Sequence, residues 1–274
     1  MSKLDQADSP KKVPLWVREP FTSFFRDMDR AVNFYSLTLS GLRIIAEQSQ
    51  KLDEAYAGMR QAGEKIRPRV PRKYRHLWEV KENRELDERI RKSSRLAKVE
   101  VDEGFPTLHR QVALSSWSSL EWLVSALLAN WLANEPKALS IEPVRKVKVS
   151  MADYETLTGM EKYYYLLSEI ERDNKSGLRQ GVDRFESTLQ IFGFSGSVPA
   201  KLKKVLFEFG HVRNVLVHRN GVADARFVHA CPWLTLSAGQ AVIVDEARLY
   251  QYMNAAMEYV TLISSRVISR FKKT

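Results

Sequence analysis

The stretch Ser197–Asp224, SVPAKLKKVLFEFGHVRNVLVHRNGVAD, reads as one capped amphipathic helix whose last turns are dense in functional side chains. Ser197 is a suitable N-cap, Pro199 stands just inside the start, and Asn220-Gly221 is a pair expected where a helix ends in a left-handed residue. At about 100° per residue, Leu202, Val205, Leu206, Phe209, Val212, Leu216 and Val217 share one arc, and Glu208, His211, Asn214 and His218 lie opposite. Arg213 breaks the pattern by projecting within the apolar arc. An uncompensated guanidinium there is costly, so it must find an anion, a wet seam or a partner chain.

Asn214 and His218 are i and i+4 on one surface, with Arg213 beside Asn214, so the three can flank one phosphate. Arg213-Asn214, three further residues, His218 and a following Asn-Gly-x-x-Asp resemble the signature of HEPN-domain ribonucleases: an Arg, four to six residues, then a His, often with Asn directly after the Arg. The resemblance covers roughly residues 100–274 at fold level, and its specific part is Arg213 to Asp224. It implies a metal-independent endoribonuclease without a cofactor. The neighbouring 2′-hydroxyl attacks the scissile phosphate and leaves a 2′,3′-cyclic phosphate. It also implies a homodimer whose two motifs meet at a seam, and proteins of this kind commonly act as toxins or in anti-phage defence, with an antitoxin or defence-system partner.

The residue types suit that chemistry. His218 is an imidazole, the side chain best placed to move a proton near neutral pH. Arg213 can neutralise charge on a phosphorane in bidentate fashion, and Asn214 can donate to a non-bridging oxygen or orient the imidazole. One His does not easily make both proton transfers, which favours a second protomer at the site. His211, two turns before His218, is a candidate groove residue with a solvated role as the plainer reading, and Glu208 is a second supporting candidate on the same polar face. The competing reading of His218 is structural, because a His in the last turn of a helix interacts well with its free carbonyls.

The chain has 274 residues, 44% of them hydrophobic and 28% charged, which suits one sizeable core with a smaller accessory unit. No apolar run stands out as long enough to span a bilayer, and MSKLDQADSPKK lacks the apolar core of a secretory signal, so a cytoplasmic location without a membrane partner is expected. The single cysteine, Cys231, cannot form an internal disulfide and is expected to be buried; five scattered histidines give no zinc ligand set. A net charge of +10 favours an anionic partner such as nucleic acid, though a solvated basic surface accounts for it equally well.

Outward from the motif helix, residues 1–20 are expected to form a flexible or extended tail, with Val13 to Pro20 extended because prolines stand at both ends. A long helix follows from Thr22 to Gly63, with an apolar stripe of Phe24, Met28, Val32, Tyr35, Leu39, Leu42 and Ala46; its length points to a helical hairpin or dimer arm. Lys65–His76, KIRPRVPRKYRH, reads as an exposed basic connector, and Leu77 to Val99 as a charged helix. Residues 65–100 hold thirteen Lys or Arg against six Asp or Glu, a local net of +7, so Arg67, Arg69, Arg72, Lys73 and Arg75 are candidate RNA-binding residues. Tyr74, His76 and Trp78 interleave with them as stacking faces. A charged face of a solvated helix is the competing explanation.

Residues 101–274 read as one helical domain, and residues 21–100 as a separate N-terminal segment. Gly104-Phe105-Pro106 opens a helix to Asn134 with Leu108, Val112, Leu120, Leu123, Val124 and Leu127 on a core face, joined by Trp117, Trp122 and Trp131. Glu121, at the edge of that face, is a candidate partner for Arg213. Val144 to Val149 reads as a short extended crossing, and helices are expected over Tyr154–Arg172 and Arg179–Phe192. Arg226–His229 and Gln240–Val244 are candidate strands of one β-hairpin, and Asp245 should cap a last helix running to Lys272. Arg266, Arg270, Lys272 and Lys273 are read as complements of that helix's dipole. The expected fold is all-α: a HEPN-like bundle with a long N-terminal helix or helical hairpin. The competing functions are a non-catalytic RNA-binding or adaptor module and a purely structural helical protein.

Overall fold

The computed structural model describes residues 13–78, 83–176 and 179–272. The expected tail over 1–12, residues 79–82 of the expected charged helix, Gly177 and Lys273 lie outside them. The protein is an all-α helical bundle: α1 Leu15–Ile66, α2 Arg84–Asp102, α3 Pro106–Asn134, α4 Met151–Thr156, α5 Met160–Asp173, α6 Val182–Ile191, α7 Ala200–His218, α8 Ala225–Ala230 and α9 Glu246–Lys272. Internal packing divides it into two units, residues to Val32 together with Arg110 onward, and Asn33–His109.

The unit Asn33–His109 is a helical hairpin. Ser94 donates to the Ala46 carbonyl (2.7 Å), Arg91 pairs with Asp53, and the Tyr56 hydroxyl bonds both oxygens of Asp87 (3.0 and 2.9 Å). The partners' numbers run in opposite directions, so α1 and α2 are antiparallel. The connector is short 3₁₀ turns, Arg67–Arg69 and Arg72–Trp78, because Pro68 and Pro71 remove the donors a regular helix needs. Asn83 caps α2 by accepting from the Leu86 N–H (3.3 Å).

The other unit holds the main core. The α3 residues Leu120, Leu123, Leu127 and Leu128 are fully buried, and Trp117 meets Phe209 edge-on at 5.0 Å. Phe209 in turn stacks on Tyr252 at 4.5 Å, tying α3, α7 and α9 together. Two glycines set the approach of α7. A Cβ on Gly210 would lie 3.0 Å from the Trp117 ring, and one on Gly181, whose φ is +56°, would lie 2.6 Å from Phe207 Cα.

Several expectations are corrected. Val13–Pro20 is not extended, since α1 starts at Leu15 and contains Pro20. Pro20 leaves the Trp16 carbonyl without its usual helical donor, and the Asn130 amide supplies one at 3.2 Å. Ser197 is not the N-cap of α7; Pro199 holds that position, with extended ψ of 137°. The β-hairpin is absent among the described residues: Arg226–His229 lies within α8, where Asp224 caps the chain into a helix (2.8 Å to the Phe227 N–H), and only the isolated bridge Val222–Ala241 pairs across the loop.

The helix expected over Tyr154–Arg172 is two, broken at Gly159, which has a φ of +52°. The run Val144–Val149 begins in a 3₁₀ turn rather than an extended segment. Trp122 is 43% exposed rather than part of the core, being turned about 100° from Leu123. Among the described residues α3 is long and apolar enough by length and composition to cross a membrane; most of that window is buried inside the protein, as in a core helix. Asp245 does cap α9, accepting from the Arg248 N–H at 2.8 Å. Arg266 and Arg270 do more than face a dipole: Arg266 pairs with Glu186 (2.7 Å), and Arg270 donates to the Phe192 carbonyl (2.5 Å).

Candidate functional site

The helix α7 carries the motif, and most of its middle is buried all round, from Leu206 through Glu208, Phe209, Gly210 and Val212 to Leu216. Arg213 is the residue whose placement the sequence made costly, and it is half-buried. The required anion comes from α3: Arg213 Nη2 donates to Glu121 Oε2 at 3.3 Å. Glu121 Oε1 accepts from Arg184 Nη1 at 2.8 Å, so one carboxylate lies between two guanidinium groups from α6 and α7. Arg213 Nη1 also donates to Asn214 Oδ1 (3.2 Å), which fixes the order of the two side chains.

Glu171 joins this cluster from α5. Burial pushes its carboxyl above the ordinary range, opposed by the Arg184 charge and a Thr188 hydrogen bond, and reinforced by the Glu121 charge.

His218 stands at the end of the same helix, exposed, and among the described residues its ring meets no hydrogen-bond partner. It lies one helical turn from Asn214 on one surface. The residues around it are explained by chain reversal. Asn220 and Gly221 have φ of +50° and +78°, and Asp224 caps α8 while pairing with Arg219 at 3.6 Å. Arg110 closes the helix end, donating to the Leu216 carbonyl (2.5 Å) and to Asn220 Oδ1 (3.4 Å).

The supporting candidates separate. His211 is held to Gln180 Oε1 at 2.7 Å, with its ring 4.5 Å from Phe207; burial lowers its pKa below the ordinary value, partly offset by Asp224. It is not a freely solvated groove residue. Glu208 is buried, against its expected place on a solvated face, because α9 and the loop after α8 cover that side. It accepts from the Tyr252 hydroxyl (2.7 Å) and the Trp233 indole N–H, with Arg248 at 3.7 Å. Burial first and the Glu208 charge second push the Tyr252 hydroxyl up and the Cys231 thiol up to about 12. Cys231 is therefore an inert buried thiol.

In the hairpin unit, Arg67, Arg69, Arg72 and Lys73 are exposed at the connector, and the Lys73 ammonium lies 4.8 Å from the ring of exposed Tyr74. Arg75 is partly drawn in, donating to the Val70 carbonyl at 3.2 Å. Among the described residues no group of three His, Cys, Asp or Glu is placed to hold a metal ion.

No protein-family model matches the chain, and no curated protein or solved structure matches it. The functional reading therefore rests on the chemistry of these residues. Sequence reasoning reached Arg213, Asn214, His218 and Glu121, but missed Arg184, Arg110 and Gln180. Arg184 lies 63 residues from Glu121 and Arg110 lies 106 from Leu216, separations that no local spacing can reveal.

Proposed function

We propose that the protein is a metal-independent endoribonuclease of the HEPN type, in which Arg213, Asn214 and His218 act on one RNA phosphodiester. The observation that carries the reading is the contrast within α7: Arg213 is half-buried and oriented by Glu121 and Asn214, whereas His218 on the same helix is exposed and unpartnered among the described residues. An oriented guanidinium suits charge stabilisation, and an open imidazole suits proton transfer.

In the proposed reaction the ribose 2′-oxygen attacks the adjacent phosphorus, its proton passes to an imidazole, and the P–O5′ bond breaks. The leaving oxygen takes a proton, and a 2′,3′-cyclic phosphate and a 5′-hydroxyl remain. Two proton transfers call for two groups, which a homodimer with facing motifs supplies. Exposed Trp122 and Val217, next in sequence to Glu121 and His218, support an apolar seam there. A cytoplasmic protein serving as a toxin or anti-phage effector, held by an antitoxin or defence-system partner, is the biological setting of this proposal.

The second reading is an RNA-binding or adaptor module in which the motif only packs. The Arg213–Glu121 pair favours it, because that pair satisfies the half-buried guanidinium without a ligand. Cleavage of RNA in EDTA, with cyclic-phosphate ends and complete loss in His218→Ala, supports the first; salt-sensitive binding without cleavage supports the second.

A further inference from the structure

We propose that Arg184, which lies outside the motif, is a second guanidinium of this site and grips the same phosphodiester of single-stranded RNA as Arg213, while Glu121 holds the two side by side. The identity of the ligand rests on the ribonuclease reading; the anion site itself does not. Glu121 gives one oxygen to each arginine, Oε1 to Arg184 at 2.8 Å and Oε2 to Arg213 at 3.3 Å. A guanidinium carries five N–H donors. Arg213 spends donors on Glu121 and Asn214, and Arg184 on Glu121, so each keeps others for an incoming oxygen.

Water and ligand can reach both groups, since the Arg184 side chain is 40% exposed and that of Arg213 is 26% exposed. Two cations on one carboxylate leave the triad with a positive balance. Glu171, the other carboxyl facing Arg184, offsets part of that charge; burial pushes its pKa up, opposed by the Arg184 charge and a Thr188 hydrogen bond. A guanidinium bonds phosphodiester oxygens as it does carboxylate oxygens, so the N–H groups that Glu121 leaves unused on both arginines are the ones an RNA phosphate would take. Arg184 and Arg213 come from different helices, and Glu121 from a third fixes their separation.

The test uses a labelled 2′-O-methyl oligouridylate, which lacks the attacking hydroxyl and reports binding alone. Arg184→Gln is expected to weaken binding about tenfold at low salt and to make the log–log salt dependence shallower by about 0.7, the share of one single-strand phosphate contact. Lys201→Gln, an equal charge change at an exposed position, should shift affinity less than about twofold. Arg184→Lys keeps the charge but not the fork, so it should recover the salt slope and only part of the affinity. It also carries the test if the Gln variant does not fold.

Arg184 variants that bind like the Lys201 control overturn the proposal, even if the parent enzyme cleaves RNA and His218→Ala does not. Conversely, Arg184-dependent binding by a parent that never cleaves unmodified oligouridylate keeps the anion site and removes the ribonuclease reading.

Discussion

Arg213 and Glu121 are 92 residues apart in sequence and meet at 3.3 Å, the motif arginine of α7 against the edge of the central helix α3. Arg184 shares the same carboxylate, and this asymmetry predicts an order of stabilities. Glu121→Leu leaves both guanidinium groups without their shared carboxylate and should cost about 1–3 kcal/mol, reduced from a fully buried case because the groups are partly exposed. Arg213→Met leaves Glu121 paired with Arg184 and should cost less than about 1 kcal/mol. Urea denaturation that returns equal costs, or the reverse order, would show that Glu121 is not shared.

The Asn130 amide takes the place of the N–H that Pro20 lacks, at the Trp16 carbonyl. Asn130→Ala should destabilise by about 1 kcal/mol in the parent. In a Pro20→Ala background the helix provides its own donor, and the same substitution should cost measurably less. Additive free energies in this double-mutant cycle would exclude the substitution of one donor by the other.

These two relationships show what was readable in the sequence. The apolar spacing of α1, α3 and α7 and the Asp245 cap of α9 made the helical bundle legible, and the position of Arg213 made the need for an anion legible, with Glu121 as one candidate. The start of α1 was not legible, because prolines at 14 and 20 argue locally against helix, and the rescuing donor lies 114 residues from Trp16. The strands expected around residues 226–244 failed because capping by Asp224 outweighs a short β pattern. Glu208 was misplaced because a helical wheel shows which side is polar but not whether Tyr252 and Trp233 cover that side.

His211 gives a pH prediction. Burial lowers its folded-state pKa below the ordinary value of 6.5, so the unfolded chain binds the proton more tightly. Its contribution to stability is therefore present above the unfolded pKa and is lost as pH falls through about 6.5 toward the lower folded value. His211→Gln should flatten the stability–pH curve in that window. A curve of unchanged slope would mean that His211 is not held neutral by its surroundings.

The exposed connector should govern non-specific affinity and not chemistry. Replacing Arg67, Arg69, Arg72, Lys73 and Arg75 with Ser should reduce the salt slope of RNA binding by up to about 3.5, at about 0.7 per lost phosphate contact. The single-turnover cleavage rate at saturating RNA should be retained. An unchanged slope would make the connector a solvated turn.

The most direct test of the account is single-turnover cleavage of a labelled RNA in EDTA by the parent and by His218→Gln. Glutamine keeps much of the size and polarity of an exposed histidine but cannot titrate, so stability should change by less than about 1 kcal/mol. The account predicts parent activity that ignores the chelator and leaves 2′,3′-cyclic phosphate ends, with cleavage lost in His218→Gln. A His218→Gln protein that cleaves as fast as its parent, or a folded parent that binds RNA and never cleaves it, would contradict the account.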